Sequence, residues 1–548
     1  MNSNEELGLD LPGVDDHADV IVVGAGITGL STALMLLDSG RRVIVLEQDV
    51  PGALASGRNT GKASLLQGSR LSTIRRHHPA RLVRAYVDGN RAGQQWLRRT
   101  CERAGVQLRE ATAYSYAQSA DGLDIVDAEV RAAREAGLAA RRVDRVDDAV
   151  PFPIVGAAAL DGQYALDPAE LMRGLADQVV ERGGSLVSGV RALGVRASDP
   201  VQVRTSAGVL TARQVLIATG APVLNRGLYW AKTTGSRSLL LSFPSPGPDA
   251  MPDGLYLSVD SPGRSIRSAV WGGEPRLIVG GGGHTVGRAD STQRLVEEIA
   301  AWTRMWWPGV GEPEHWAAQD YQSHNLVPFV GRMPRGRGRV WFATGFAKWG
   351  LTNGTSAAIR IAHEMLGARR PDWANVIGSR FSMPSDFARG VSENAKVGAA
   401  AARGWAGALL GPDLGEADAA RPAASVDTSS ASGQPRQSSP SSPSGPSARG
   451  ARAVPGEGEG VVGRQGLRPV GVSTVGGETC AVSAVCTHLG GVLNWNDAEL
   501  TWDCPLHASR FDHRGRRIEG PALHDLERLP GLETASAPPT EVGAAASE

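Results

Sequence analysis

Two short pairs near the C-terminal end hold the most specific chemistry in the sequence. Cys486-Thr-His488-Leu-Gly and Cys504-Pro-Leu-His507-Ala-Ser509 are separated by the 15 residues between His488 and Cys504. Two thiolates and two imidazoles in this C-x-H and C-x-x-H spacing suit a [2Fe–2S] core, with the thiolates on one iron and the imidazoles on the other. Neutral imidazoles leave such a centre less negative than four thiolates would, which raises its potential. The same four donors also make a tetrahedral zinc set, so zinc stays open as the alternative. Gly490, Gly491 and Pro505 suit two loops closing over the centre, while Cys480, His513 and His524 fall outside the pairs and read as surface or core residues.

A second constellation sits near the other end. Gly24-Ala-Gly26-Ile27-Thr28-Gly29 follows the apolar run Val20–Val23 and opens a predicted helix to Leu37, and the next predicted strand, from Val43, ends at Glu47. At this spacing the first glycine makes a tight turn, the second admits a pyrophosphate, and the third lets helix and strand pack closely. Free N–H groups and the helix dipole then favour the phosphates. Glu47, with Gln48 beside it, is placed to accept a ribose hydroxyl. The following polar run, Ser56-Gly57-Arg58-Asn59-Thr60-Gly61, suits a bound nucleotide. Two more glycine turns, Ala218-Thr219-Gly220 and Gly345-Phe-Ala-Lys348-Trp-Gly350-Leu351-Thr352, end predicted strands further on.

These sites need a large scaffold, and the chain supplies one. Its 548 residues exceed a single hydrophobic core. Basic and acidic residues balance at 57 each, which argues against a coat for nucleic acid or an anionic membrane. Only four residues, at 62, 232, 348 and 396, are Lys. Four Cys exclude a disulfide scaffold. The stretch Val20–Leu37 is short of the roughly 20 apolar residues a bilayer requires, and glycine and threonine interrupt it. No membrane span is expected, and with no signal peptide before it the expected location is cytoplasmic. Alternating strand and helix patterns predict an α/β fold, with helices over 81–102, 168–182 and 291–307 and strands over 185–190, 201–205 and 214–218. From Arg421 to Pro455, 25 of 35 residues are Ser, Pro, Ala or Gly, which predicts a flexible tether. Strand patterning resumes at 460, and the residues from 531 read as a disordered tail.

Together the four glycine-rich places resemble the D-amino-acid-oxidase-like family of FAD-dependent oxidoreductases. That resemblance implies a Rossmann-type FAD-binding domain (18–66, 151–225, 330–395) interleaved with an α+β substrate domain (67–150, 226–329). It implies noncovalent FAD, with Ser56–Gly61 facing the flavin, Val190 touching the adenine through its backbone, Thr219 and Gly220 near the cofactor, and Gly345, Gly350, Leu351 and Thr352 along the ring. It also implies an oxidisable C–N bond in the substrate, an amine or amino acid, with His284 over the flavin and Lys348 as catalytic candidates and Arg267 as a possible orienting group. Oxidases of this family place a Lys in the strand corresponding to Arg276–Gly280; none stands here, which points away from oxygen as acceptor.

The segment 460–530 resembles the Rieske family. Ser509 matches a serine that hydrogen-bonds a bridging sulfide there. Gly491 and Leu506 stand where respiratory Rieske proteins carry a disulfide, and Ala508 replaces a usual Gly. After a linker expected over 396–459, the implied C-terminal unit is an all-β [2Fe–2S] domain. The combined expectation is a dehydrogenase passing electrons from flavin singly to the cluster and on to an external one-electron protein. Two alternatives remain: a reductase whose flavin is fed by the cluster from an external donor, and a flavoprotein with a zinc-held interaction module.

Overall fold

The computed structural model describes residues 17–146, 149–221, 223–378, 384–414 and 455–530. The apolar run His17–Val23 is the centre of an eight-stranded sheet. It pairs in parallel with Val43–Leu46 on one side and with Gly208–Ile217 on the other. Both faces are covered, so these strands read as continuous Val/Ile/Leu rather than alternating sequence. Helix Ile27–Leu37 packs on one face beside helix Gly350–Met365, and their apolar residues merge into one core with Val20, Val22, Val43 and Val45.

A nine-stranded sheet runs from Glu314–Ser323 through Thr233–Pro244 and Glu274–Thr285 to Leu108–Ala117 and Gly156–Leu166. The boundary expected at 151 is therefore early. Strand Gly156–Leu166 pairs antiparallel with Leu108–Ala117 and so belongs to this second sheet. The Trp-rich helix Thr292–Trp306 packs on this sheet, and Trp302, Trp306 and Trp307 close around Phe152 as core rather than as a stacking platform.

The start of the linker also differs from expectation. Helix Pro384–Leu410 continues well past 396, and Asp413 and Leu414 then pair with Arg464 of the C-terminal domain. The small residues of Ala395–Leu410 include enough Ala to favour helix. The Ser/Pro-rich tether and the C-terminal tail lie outside the described residues. From Gly460 the chain forms a three-stranded antiparallel sheet and, over Asn494–Glu519, a four-stranded one.

This C-terminal domain is seated firmly on the rest. Arg237, 2% exposed, ion-pairs with Glu499 and, at 3.0 Å, with Glu519. Arg510 completes the cluster, 2.9 Å from Glu519, 3.0 Å from Asp503 and 3.3 Å from Glu499. Asp497 accepts the N–H groups of Thr292 (2.8 Å) and Gln293 (2.9 Å), capping the N-terminus of helix Thr292–Trp306 across the domain boundary. Ala508, held in the left-handed region at φ 64°, presses its methyl against Gly235 and packs with Ala221, Val286 and Tyr321. A side chain at Gly235 would collide with it.

Burial pushes the Glu499 carboxyl pKa up, but Arg510 and Arg237 outweigh that and bring it from 4.5 down to about 2. A depressed carboxylate contributes stability above its unfolded value and loses it as pH falls. Glu499→Ala removes one carboxylate from a cluster in which Arg237 keeps Glu519 and Arg510 keeps Glu519 and Asp503, so it should destabilise the docked domain by about 1.5–3 kcal/mol in urea unfolding, the cost of a charge-assisted hydrogen bond. The wild-type chain should lose this contribution as pH drops from 4.5 towards about 2, and the variant should show a flatter acid limb.

Candidate active site and metal centre

The glycine turn adopts the geometry its spacing demands. Gly24 sits at φ 104°, and a Cβ there would come within 2.6 Å of the Ala218 carbonyl oxygen. A Cβ on Gly29 would strike the Gly24 carbonyl, so helix and strand touch only because Gly29 has none. Glu47 accepts the N–H groups of Ala25 (2.8 Å) and Asp49 (3.1 Å), and burial raises its pKa. Each of its oxygens still has a free lone pair for a hydroxyl. Ser56 Oγ accepts the N–H of Ile27 at 3.0 Å, tying the polar run to the turn.

These residues line a cavity of about 620 Å³ that extends between the two sheets. Its wall includes Gly24, Gly26, Ile27, Thr28, Glu47, Gln48, Ser56, Asn59, Thr60, Val190, Thr219, Gly220, Gly350 and Leu351. Gly29, Gly57, Arg58, Gly345 and Thr352 are not part of it and act at one remove, as packing or turn positions. Thr28 Oγ1, at the start of the helix, is buried without a protein partner, a free hydrogen-bonding group where a phosphate is expected.

The other end of the cavity is where sequence reasoning fell short. His284 does not line it. His284 is the cross-strand partner of Arg237, and such partners share one face of a sheet. It therefore faces the C-terminal domain, where Arg237, Glu499 and Asp503 are its charged neighbours, and burial lowers its pKa. Arg267 is also absent from the wall. It is buried in the sheet with Nη2 donating to the Leu166 carbonyl at 3.1 Å, and desolvation lowers its pKa to about 10.

The side chains that do face this end are Lys62, Arg264, Asp320 and Lys348, whereas Gln319 and Tyr321, which flank Asp320 on the wall, turn theirs to the C-terminal domain. Lys62 donates to the Tyr256 carbonyl at 3.2 Å and to Ser265 Oγ, and burial pulls its pKa well down. Two of the four lysines of the chain thus meet here, and that rarity was the one available sequence signal. The run Gly280–Gly283 explains the arrangement. A Cβ on Gly281 would lie 3.0 Å from Arg264 Nη1, and one on Gly283 would lie 3.0 Å from Lys348 Nζ. Bare backbone makes room for two cations. Arg264 is buried, and its Nε has no partner. Lys348 occupies a turn in which Ala347 and Lys348 both have positive φ, 54° and 72°. Holding two non-glycine residues there costs strain, which the surrounding fold must offset. Lys348 opens onto the cavity, yet desolvation lowers its pKa, with Asp320 opposing the shift. Asp320 accepts the backbone N–H of Lys348, and burial lifts its carboxyl to about 6.

In the C-terminal domain the two pairs come together. The His488 and His507 rings stand 5.2 Å apart at 84°, and His488 Nε2 and both nitrogens of His507 are buried without protein partners. None of the four cysteines is in a disulfide. No three of the four donors lie within 4.8 Å of one another, whereas donors around one tetrahedral zinc would crowd closer than that. The spacing suits a two-iron core and not a single ion. Ser509 Oγ accepts the N–H of Ala522 at 3.0 Å, leaving its own hydrogen for the centre. A Cβ on Gly491 would lie 2.6 Å from Leu506 Cδ1, so these two positions do face one another, joined by packing in place of a bond.

The sequence pattern of the FAD dependent oxidoreductase family (DAO) matches residues 19–364, and that of the Rieske [2Fe-2S] domain matches residues 452–530. The chain belongs to the FAD dependent oxidoreductase family. It carries a Rieske domain at its C-terminal end, and FAD and a [2Fe–2S] cluster are its cofactors. It is 26% identical over 521 residues, 94% of each chain, to the putative Rieske 2Fe-2S iron-sulfur protein YhfW of Bacillus subtilis (strain 168). Its fold is similar to that of glycine oxidase from Geobacillus kaustophilus (TM-score 0.57, 18% identity), covering 67% of this chain and 100% of that one. It is also similar to L-proline dehydrogenase from P. horikoshii (TM-score 0.54, 14% identity), covering 70% and 99%. No helix among the described residues is long and apolar enough to cross a membrane.

Replacing Cys504 by Ser should abolish the low-temperature EPR signal of the reduced mixed-ligand cluster and the acid-labile sulfide, while the flavin absorption persists. A zinc site would give no EPR signal in either protein.

Proposed function

We propose that this FAD-dependent oxidoreductase is a dehydrogenase that oxidises the C–N bond of an amino acid and delivers the electrons one at a time to its own Rieske cluster. Bound FAD supplies a two-electron acceptor and the cluster a one-electron carrier. The observation that carries this reading is the contact between the two sites. Gln319, on the cavity wall, donates its Nε2 hydrogen to the Ala508 carbonyl at 2.8 Å, and Ala508 is bonded directly to the ligand candidate His507. Tyr321 packs on the same residue.

The substrate end supports an amino acid over a simple amine. Two cations line the cavity, Lys348 over Gly283 and Arg264 over Gly281 against the Trp302 ring, and either can meet a carboxylate. Asp320, beside Lys348, can hold a proton or accept one from an ammonium group, because its pKa of about 6 lies near neutrality. An external one-electron protein completes the proposed circuit.

Anaerobic addition of amino acids and of their decarboxylated amines tests the reading. A matching amino acid should bleach the flavin first and the cluster second, and the amine of the same side chain should fail. Loss of a charge-assisted hydrogen bond costs about 1.5–3 kcal/mol, so Arg264→Gln should raise the half-saturating concentration by about tenfold to a hundredfold with less effect on the limiting rate. The limiting rate of flavin bleaching should fall as pH drops below about 6, where Asp320 gains its proton. Asp320→Asn should remove that limb.

A further inference from the structure

We propose that Arg517, contributed by the Rieske domain, belongs to the binding site for the adenosine half of FAD, so that dinucleotide binding and domain docking reinforce each other. This goes beyond the proposed reaction and stands whatever the substrate. Arg517, Glu519 and Gly520 form part of the wall of the dinucleotide cavity although they lie in the cluster domain. They meet it at the end that binds ribose by the logic of the glycine turn, since Arg517 Nη1 donates to Gln48 Oε1, next to Glu47. Gln48 answers by donating to the Ile518 carbonyl at 2.7 Å. Arg191, which follows Val190 on the same wall, donates to the Arg517 carbonyl at 3.2 Å and pairs with Asp525 at 3.0 Å.

Arg517 is 9% exposed, and both of its Nη hydrogen bonds go to neutral oxygens, Gln48 Oε1 and the Gly520 carbonyl at 2.9 Å. Its Nε is buried with no protein partner. Burial, with the neighbouring Arg191, lowers its pKa to about 10. A buried cation with an idle donor, turned onto a dinucleotide cavity, wants an anionic or hydroxyl oxygen. The adenosine diphosphate half of FAD offers both, and a planar guanidinium is suited to such oxygens. The domain that carries the cluster would then also clamp the far end of the cofactor that feeds it.

The test is titration of FAD, and separately of ADP, into deflavinated full-length protein, with flavin fluorescence or calorimetry as the readout. Arg517→Ala should weaken both ligands by about tenfold or more, with iron and acid-labile sulfide content unchanged. Arg516→Ala, one residue away, exposed and paired with Asp512, should bind both like wild type. Wild-type affinity for FAD and ADP in Arg517→Ala overturns the proposal. Should that variant be recovered without its cluster, Arg517→Lys decides: it keeps the charge and the aliphatic stem but loses the Nε donor, so at least threefold weaker binding supports the proposal and unchanged binding overturns it.

Discussion

A guanidinium sealed between two domains must be matched by carboxylates on the spot, because an unpaired buried charge is among the most unfavourable things a protein can contain. Arg237 comes from the flavin half and its partners Glu499 and Glu519 from the cluster half. Neither half satisfies its share alone. Separating them would expose one cation and leave three acids around Arg510, so the ion cluster sets the register in which the domains meet. Other contacts then fall into place: Asp497 on the helix end, Ala508 against Gly235, and Arg517 against Gln48.

That register explains how the substrate sheet performs two tasks. Strands Thr233–Pro244 and Glu274–Thr285 turn one face to the cavity, through Ser238 and Gly283, and the other to the cluster domain, through Arg237 and His284. The alternation of a β-strand is enough to separate substrate handling from docking within a few residues. The cluster lies against the flavin half with Trp230 packed edge-on to His507 at 4.7 Å and to His488 at 5.6 Å.

The features legible in the sequence were those fixed by local geometry. The turn Gly24–Gly29, the acid Glu47 and the cysteine–histidine pairs each impose spacing on a short segment, and spacing can be read. The groups at the substrate end could not be read in that way. Arg264 becomes a cavity residue only because strand Ser265–Trp271 lies beside Glu274–Thr285 and glycines there leave space, a fact of sheet pairing between distant segments. The side that His284 takes is hidden for a related reason. Which side of a strand faces a cavity depends on parity and on the bulge between Arg237 and Leu239, and neither is visible in the residues themselves. The helix over 384–410 was hidden by composition, since Ala and Gly at high density resemble linker until the partner domain is there to pack on them.

The left-handed alanine at 508 has one last implication. Its side chain fills a notch cut to fit it by Gly235, and the two positions lie on separate domains. A homologous cluster module with glycine at that point would leave a void against Tyr321, and a module with anything bulkier would be shut out. The pair works as a key and its ward. Modules of this kind are therefore not freely interchangeable between fusions, and transplanting one would require recutting residue 235 of the host as well.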